Sequence, residues 1–176
     1  MEEQFIEYCK NGDMVNLVNY YVDIKFLQKY FDMGFEAASS NGHVNIVHFL
    51  YINRNSETVI NFDSAISCAS YYGHFNVVKY IYDKRIIDIN KHVTLFSLAI
   101  KSKKLEFVKW VMSIIKVDLK EYVNDVCYTG TLEILEYFYS IDNTLLNDEK
   151  IKKEGLQNAE LVNNNEIINW LKNNTI

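Results

Sequence analysis

Gly42-His43-Val44-Asn45-Ile46-Val47-His48-Phe49-Leu50 recurs as Gly73-His74-Phe75-Asn76-Val77-Val78-Lys79-Tyr80-Ile81, 31 positions later. A period in this range belongs to stacked supersecondary units rather than to one globular core. Four residues before each glycine stands an alanine, Ala38 and Ala69, so the phrase extends to Ala-x-x-x-Gly-His-φ-Asn-φ-Val-x-aromatic-φ. The template also fits around Lys103 (Ala99 to Val111), Gly130 (Val126 to Phe138) and Asn163 (Ala159 to Leu171). A first copy surrounds Gly12 (Cys9 to Tyr21) and reads as carrying one extra residue after its glycine. Marker positions 12, 42, 73, 103, 130 and 163 are spaced 30, 31, 30, 27 and 33, and six units fill the chain.

Each unit's form follows from its periodicity. After the marker, apolar residues fall at offsets 2, 4, 5 and 8 with an aromatic at 7, a helical pattern and not an alternating one. Before it, Phe35/Ala38 and Ile66/Ala69 put apolar and small side chains three apart, where a neighbouring helix must come close. A unit is therefore expected to be helix, glycine-centred break, second antiparallel helix, the glycine supplying the positive φ that ends the first. About 30 residues cannot bury two amphipathic helices alone, so units must stack. The expected units run approximately 3–23, 33–52, 63–83, 93–114, 121–140 and 153–173 of one all-α domain, the first and last as polar caps.

This pattern resembles the ankyrin repeat, best in the second and third units. Ile87-Asp88-Ile89-Asn90 resembles the family's Ala-Asp-Val-Asn connector, and Val117-Asp118-Leu119-Lys120 echoes it. The family's Thr-Pro-Leu-His start is replaced by Ser64-Ala65-Ile66-Ser67 and Thr94-Leu95-Phe96-Ser97, and the chain has no proline. Ser64 and Thr94 are left as expected N-caps. Connectors as short as Asp88 to Thr94 imply loops or single turns in place of developed β-hairpin fingers. Repeats of this shortened kind are similar to divergent ankyrin arrays of large DNA viruses, such as giant viruses of amoebae, and of AT-rich protists. The richness in Asn, Ile, Lys, Tyr and Phe agrees. Tetratricopeptide units, of about 34 residues with aromatic and proline marks, and HEAT units, of about 40 or more, fit less well.

Composition is consistent with this class. The 49% hydrophobic content of 176 residues supplies a continuous stacked core. No apolar run approaches the roughly 20 residues of a membrane helix, and Met1-Glu2-Glu3-Gln4 is acidic, unlike a secretory leader. Three cysteines without a Cys-x-x-Cys argue for a reducing compartment. Cys9 and Cys127 share one slot in the repeat and are expected in the core, as are Trp110 and Trp170. The expected location is the cytoplasm, of a host cell if the source is viral, with the nucleus left open.

Charge is distributed in blocks. Residues 1–36 hold seven acids against three lysines, and residues 118–160 ten against four. Residues 79–109 reverse this with Lys79, Lys84, Arg85, Lys91, Lys101, Lys103, Lys104 and Lys109 against three acids. Such a block is either a solvated surface of no special role or a dock for an acidic partner segment. Nucleic acid is disfavoured, because no stacking platform interleaves the basic residues and the net charge is −5.

No catalytic constellation is present. His43 and His74 are equivalent repeat positions, and the resemblance implies a backbone hydrogen bond across the repeat for them. His43 and His48 are five apart, not at the i, i+4 spacing of two metal ligands, and His92 has no Cys or His partner nearby. Phosphate loops, nucleophile elbows and His-Glu-x-x-His are absent. Neither enzymatic activity nor a cofactor or metal is expected.

The ankyrin resemblance implies binding through loop tips and the exposed ends of inner helices, the two positions before each marker. Here those are Lys10 and Asn11, Ser40 and Asn41, Tyr71 and Tyr72, Lys101 and Ser102, Tyr128 and Thr129. The implied tips are Phe62 and Asp63, Lys91 and His92, Lys120 and Glu121. Tyr71, Tyr72 and Tyr128 stand out because tyrosine gives rigid, amphipathic contact area. With thirteen tyrosines in the chain, packing against the next helix is the competing reading. Together with Lys101, Lys103, Lys104, Lys91, His92 and Phe62 they form the expected partner site. Repeats begin within five residues of Met1 and stop within five of Ile176, which suggests a stand-alone, monomeric scaffold or competitive inhibitor. The alternative is a structural, self-assembling repeat protein.

Overall fold

The computed structural model describes residues 2–21, 28–54, 59–84 and 94–174. Its described residues are helices and short turns with no strand, the all-α, ankyrin-like helical-repeat class expected from the periodicity. Contacts group the chain into two compact units, Met1–Lys91 and His92–Ile176.

In the first unit, α1 (Glu2–Asn11), α3 (Gln28–Ser40) and α5 (Phe62–Tyr71) pack side by side as an inner layer. Each folds back on its partner, α2 (Met14–Tyr21), α4 (Val44–Asn53) and α6 (Phe75–Asp83). The second unit repeats the plan: α7 (Leu95–Lys101), α9 (Val123–Thr129) and α11 (Glu149–Leu161) form the inner layer. Their partners are α8 (Leu105–Ile114), α10 (Leu132–Ile141) and α12 (Asn165–Asn173).

The buried residues fall into columns set by distance from the marker. Seven, four and three residues before it, Phe35, Ala38 and Ser39 are matched by Ile66, Ala69 and Ser70, by Phe96, Ala99 and Ile100, and by Val123, Val126 and Cys127. Cys9 lies in the same column as Cys127, and both are fully buried as expected. Four, five and eight residues after the marker, Ile46, Val47 and Leu50 are matched by Val77, Val78 and Ile81, by Phe107, Val108 and Val111, and by Ile134, Leu135 and Phe138. Each fully buried side chain of this size contributes roughly 1.5–3 kcal/mol. Alanine at the fourth position lets adjacent inner helices approach.

The break between helices is also shared. Gly12, Gly42 and Gly73 take φ of 74°, 76° and 73°, and the only other positive-φ residues described are Lys103 (61°) and Asn163 (54°). Two non-glycine residues therefore hold the left-handed conformation at two of the inferred marker positions, which supports the alignment of the weaker repeats. Gly130 departs from the expectation: its φ is −79°. A Cβ there would come within 2.8 Å of the Val126 carbonyl oxygen, so glycine is needed for close approach and not for handedness.

Four further expectations are corrected. The first repeat has no extra residue: α2 starts two residues after Gly12, as the other second helices do after their markers. Leu17 fills the slot of Val47, while Val15 is 72% exposed. Ser64 is not the cap of α5; Asn61 is, its side chain accepting the Ser64 N–H at 3.1 Å. Thr94 occupies the N-cap position of α7 but makes no capping hydrogen bond with its side chain. Trp110 and Trp170 are half-buried rather than core, because offset 7 lies on the flank of the second helix.

That flank forms an aromatic ladder within each unit. Each rung joins an offset-7 aromatic to a residue of the preceding repeat. Tyr21 meets Phe49 edge-on at 5.2 Å, and His48 meets Tyr80 at 5.7 Å. The Lys109 ammonium lies 4.8 Å from the Tyr137 ring centre, and Tyr139 meets Trp170 edge-on at 5.3 Å. Where the connectors are described they are single 3-10 turns, Leu119–Tyr122 and Leu145–Asn147, as the short spacing implied.

Candidate binding surface

The inner helices of each unit share one register, and polar side chains lock it. Glu36 on α3 accepts from the Ser64 hydroxyl at 2.8 Å and from the Cys68 thiol at 3.5 Å, both on α5. Ser97 on α7 donates to Asp125 on α9 at 2.8 Å, and Asn124 on α9 donates to Glu154 on α11 at 2.9 Å. In all three rungs the residue six before one marker bonds a residue five or nine before the next. Sequence reading missed this ladder, although its signal, a polar residue at a fixed offset facing another one repeat on, was present. It occupies polar groups of the inner layer that a partner could otherwise have used. Burial, with Glu36 adding to it, pushes the Cys68 thiol above its ordinary value.

The register brings the helix ends before the markers into a row within each unit, and the ten side chains there divide in two. Asn11 donates to Glu7, Ser40 to the Glu36 carbonyl and Asn41 to the Ala37 carbonyl, each within its own helix. Ser102 and Thr129 likewise donate to the carbonyls of Ala99 and Asp125. These five are engaged in helix termination. The remaining set points outward: Tyr71 and Tyr72 in the first unit are 61% and 60% exposed, and Tyr128 in the second is 51% exposed. The Tyr71 and Tyr72 rings meet edge-on at 5.1 Å and form one aromatic knob. Among the described residues their hydroxyls have no hydrogen-bond partner. Lys10, Lys101, Lys103 and Lys104 are exposed as well.

The row continues to the last repeat, where the sequence analysis did not follow it. Leu161 and Val162, the two residues before Asn163, are 74% and 38% exposed. The marker rule itself would have found them.

The inferred tips fare unevenly. Phe62 and Asp63 lie in the first turn of α5, and Phe62 is half-buried, edge-on to Phe35 at 5.9 Å and near Tyr51 at 6.2 Å. Packing of this kind, rather than a free tip, is what the structure gives Phe62. Lys120 and Glu121 are exposed in the 3-10 turn Leu119–Tyr122. Lys91 and His92 lie outside the described residues. Beside the Leu119 turn an open groove of about 570 Å³ is lined by Met112, Lys116, Asp118, Leu119 and Ile141 among others. At its edge Asp142 accepts two hydrogen bonds from Thr144, which hold its carboxyl below the usual value.

His43 and His74 are structural. His43 Nε2 lies 2.9 Å from the Lys10 carbonyl oxygen, and its ring covers Gly12. The His74 ring covers Gly42 in the same way. Among the described residues no three His, Cys, Asp or Glu side chains gather as a metal ion would require. Among the described residues no helix is long and apolar enough to cross a membrane.

Residues 35–121 match the family model for ankyrin repeats, in three copies. The match spans just under half of the chain and, with the helical-repeat fold, supports a divergent ankyrin-repeat protein; ankyrin repeats are in general non-enzymatic modules for protein–protein interaction. No curated protein and no solved structure matches it.

Proposed function

We propose that this chain is a monomeric, single-domain protein-binding scaffold or competitive inhibitor, acting on a cellular protein through the helix ends before its markers. The observation that carries this reading is the division of the row. Residues that complete helix termination are hydrogen-bonded inward, whereas Tyr71, Tyr72, Tyr128, Lys101 and Lys103 extend outward. Large aromatic side chains exposed by half or more, without a hydrogen-bond partner, lose little on desolvation and offer contact area at low entropic cost. In the second unit Lys104 and the exposed turn residues Lys120 and Glu121 are further candidates, and Lys91 and His92 are candidates by sequence position alone.

The free thiols of Cys9, Cys68 and Cys127 suit a reducing cytoplasm. A host protein is the target if the source is viral, as the shortened repeats suggest.

The experiment is photo-crosslinking in the native cell, with the reactive amino acid placed singly at 71, 72 or 128. Lys79 and Lys153, exposed but away from the row, serve as controls. Discrete adducts from the row and none from the controls are expected. Equal labelling from both sets, or none from either, would refute the reading.

A further inference from the structure

The second unit has a chemically graded row. The inner helices α7, α9 and α11 lie side by side, and the Ser97–Asp125 and Asn124–Glu154 bonds fix their register. Their ends therefore present, in order, Lys101 with Lys103 and Lys104, then Tyr128, then Leu161 with Val162. Basic, aromatic and aliphatic surface follow one another, and all but one of these side chains are more than two-fifths exposed or lysines at the surface. Among the described residues no hydrogen bond or ion pair engages the side chains of Lys101 or Lys103. Lys103 also sits on the left-handed residue of the break, which carries its side chain beyond the helix end.

We propose that this row binds an extended segment of a partner protein in which an acidic residue is followed by two apolar ones at spacings of about three residues. The inference rests on the reading of the chain as a protein-binding module and adds what the partner must carry. Packed helices lie about 8–10 Å apart, and an extended chain advances about 3.3 Å per residue. One inner helix thus corresponds to about three residues of ligand. Charge complementarity sets the first position: a carboxylate opposite Lys101 and Lys103 meets unpaired ammonium groups. The second, aromatic or aliphatic, lies on the Tyr128 ring. The third covers Leu161 and Val162, whose exposure is otherwise a solubility cost. Two exposed carboxylates of this unit are Glu160, 3.5 Å from the Lys172 ammonium, and Glu133 in the first turn of α10.

The test is selection of nine-residue peptides from a random displayed library on the purified full chain. Enrichment of an acid followed by two apolar residues at that spacing, in one chain direction, is the expected result. Selection on K101E/K103E should replace the acid by a base. For a selected peptide, the double change and, separately, Leu161→Asp should each weaken binding by about tenfold. All these side chains are exposed, so unchanged melting curves will show that the variants fold. Peptides without the acid, or binding unaffected by both changes, would overturn the inference while leaving cross-linking from Tyr71 and Tyr72 untouched. So would equal binding of a single-stranded oligonucleotide that Leu161→Asp does not weaken, which would make the row a general polyanion site.

Discussion

The imidazole of His43 donates from Nε2 to the backbone carbonyl of Lys10, 2.9 Å away and one repeat upstream. Lys10 lies in the last turn of α1, where carbonyls lack intrahelical donors. The histidine therefore closes the preceding repeat's helix while its ring covers that repeat's glycine. His43→Phe keeps the ring area and removes the donor, and should cost about 1 kcal/mol in urea unfolding. If His43→Phe is as stable as the parent, the histidine serves only as a flat surface.

The marker residues make opposite predictions at equivalent places. At Gly42 φ is 76° and an added Cβ would meet the His74 ring, so Gly42→Ala combines backbone strain with a clash. It should destabilise by about 2 kcal/mol or more. Lys103 already holds φ of 61° at the cost of a left-handed non-glycine residue. Lys103→Gly should therefore stabilise by about 0.5–1 kcal/mol, seen as a higher melting temperature. A lower one would mean that the lysine side chain supports the fold.

Ser39 and Ser70 occupy one buried column and differ in satisfaction. Ser39 donates to the Phe35 carbonyl at 2.7 Å, whereas among the described residues the Ser70 hydroxyl has no partner. Cys9, Ile100 and Cys127 fill the same slot elsewhere. Ser70→Ala should be neutral or stabilising by up to about 1 kcal/mol, and Ser39→Ala destabilising by about 1 kcal/mol. Paired chemical-denaturation curves decide between them.

Burial raises the Cys9 and Cys127 thiols to about 12 from an ordinary 9.0. Below pH 9 these thiols are protonated whether the chain is folded or not. Between pH 9 and about 12 the unfolded chain releases protons that the folded chain retains, so stability falls as pH rises through that window. Burial raises Tyr21 and Tyr80 in the same direction. Alkaline unfolding should begin above pH 9 and become less steep in the C9A/C127A variant. At pH 8 an alkylating reagent should label Cys68 alone, slowly, and all three cysteines in denaturant.

Tyr80 tests the flank ladder. Its hydroxyl is 2.8 Å from His48 Nδ1, and the two rings meet edge-on. Tyr80→Phe should cost about 0.5–1.5 kcal/mol. Tyr80→Ala should cost more, and a double-mutant cycle with His48 should show coupling.

The repeat spacing, the helical class and the buried columns were determined by the sequence, because side-chain direction along a helix is fixed by local geometry and repeats every few residues. Phe35, Ala38, Ile46 and Val47 could be assigned to the core on that ground alone. What a side chain meets beyond its own helix was decided only by the tertiary structure. Offset 7 is aromatic in every copy after the first, yet Trp110 and Trp170 stay partly exposed because that position lies on the flank of the second helix. Glu36, a surface charge by composition, is a register lock because α5 brings Ser64 and Cys68 to it. Gly130 has the marker's identity without its handedness, since α9 ends against its own Val126 carbonyl. At the helix ends, hydrogen bonds within the chain engage Asn41, Ser102 and Thr129 and leave Tyr71, Tyr72 and Tyr128 facing water. A pattern of residue types names a face of a helix. Only the packed neighbours determine which groups on that face are already satisfied.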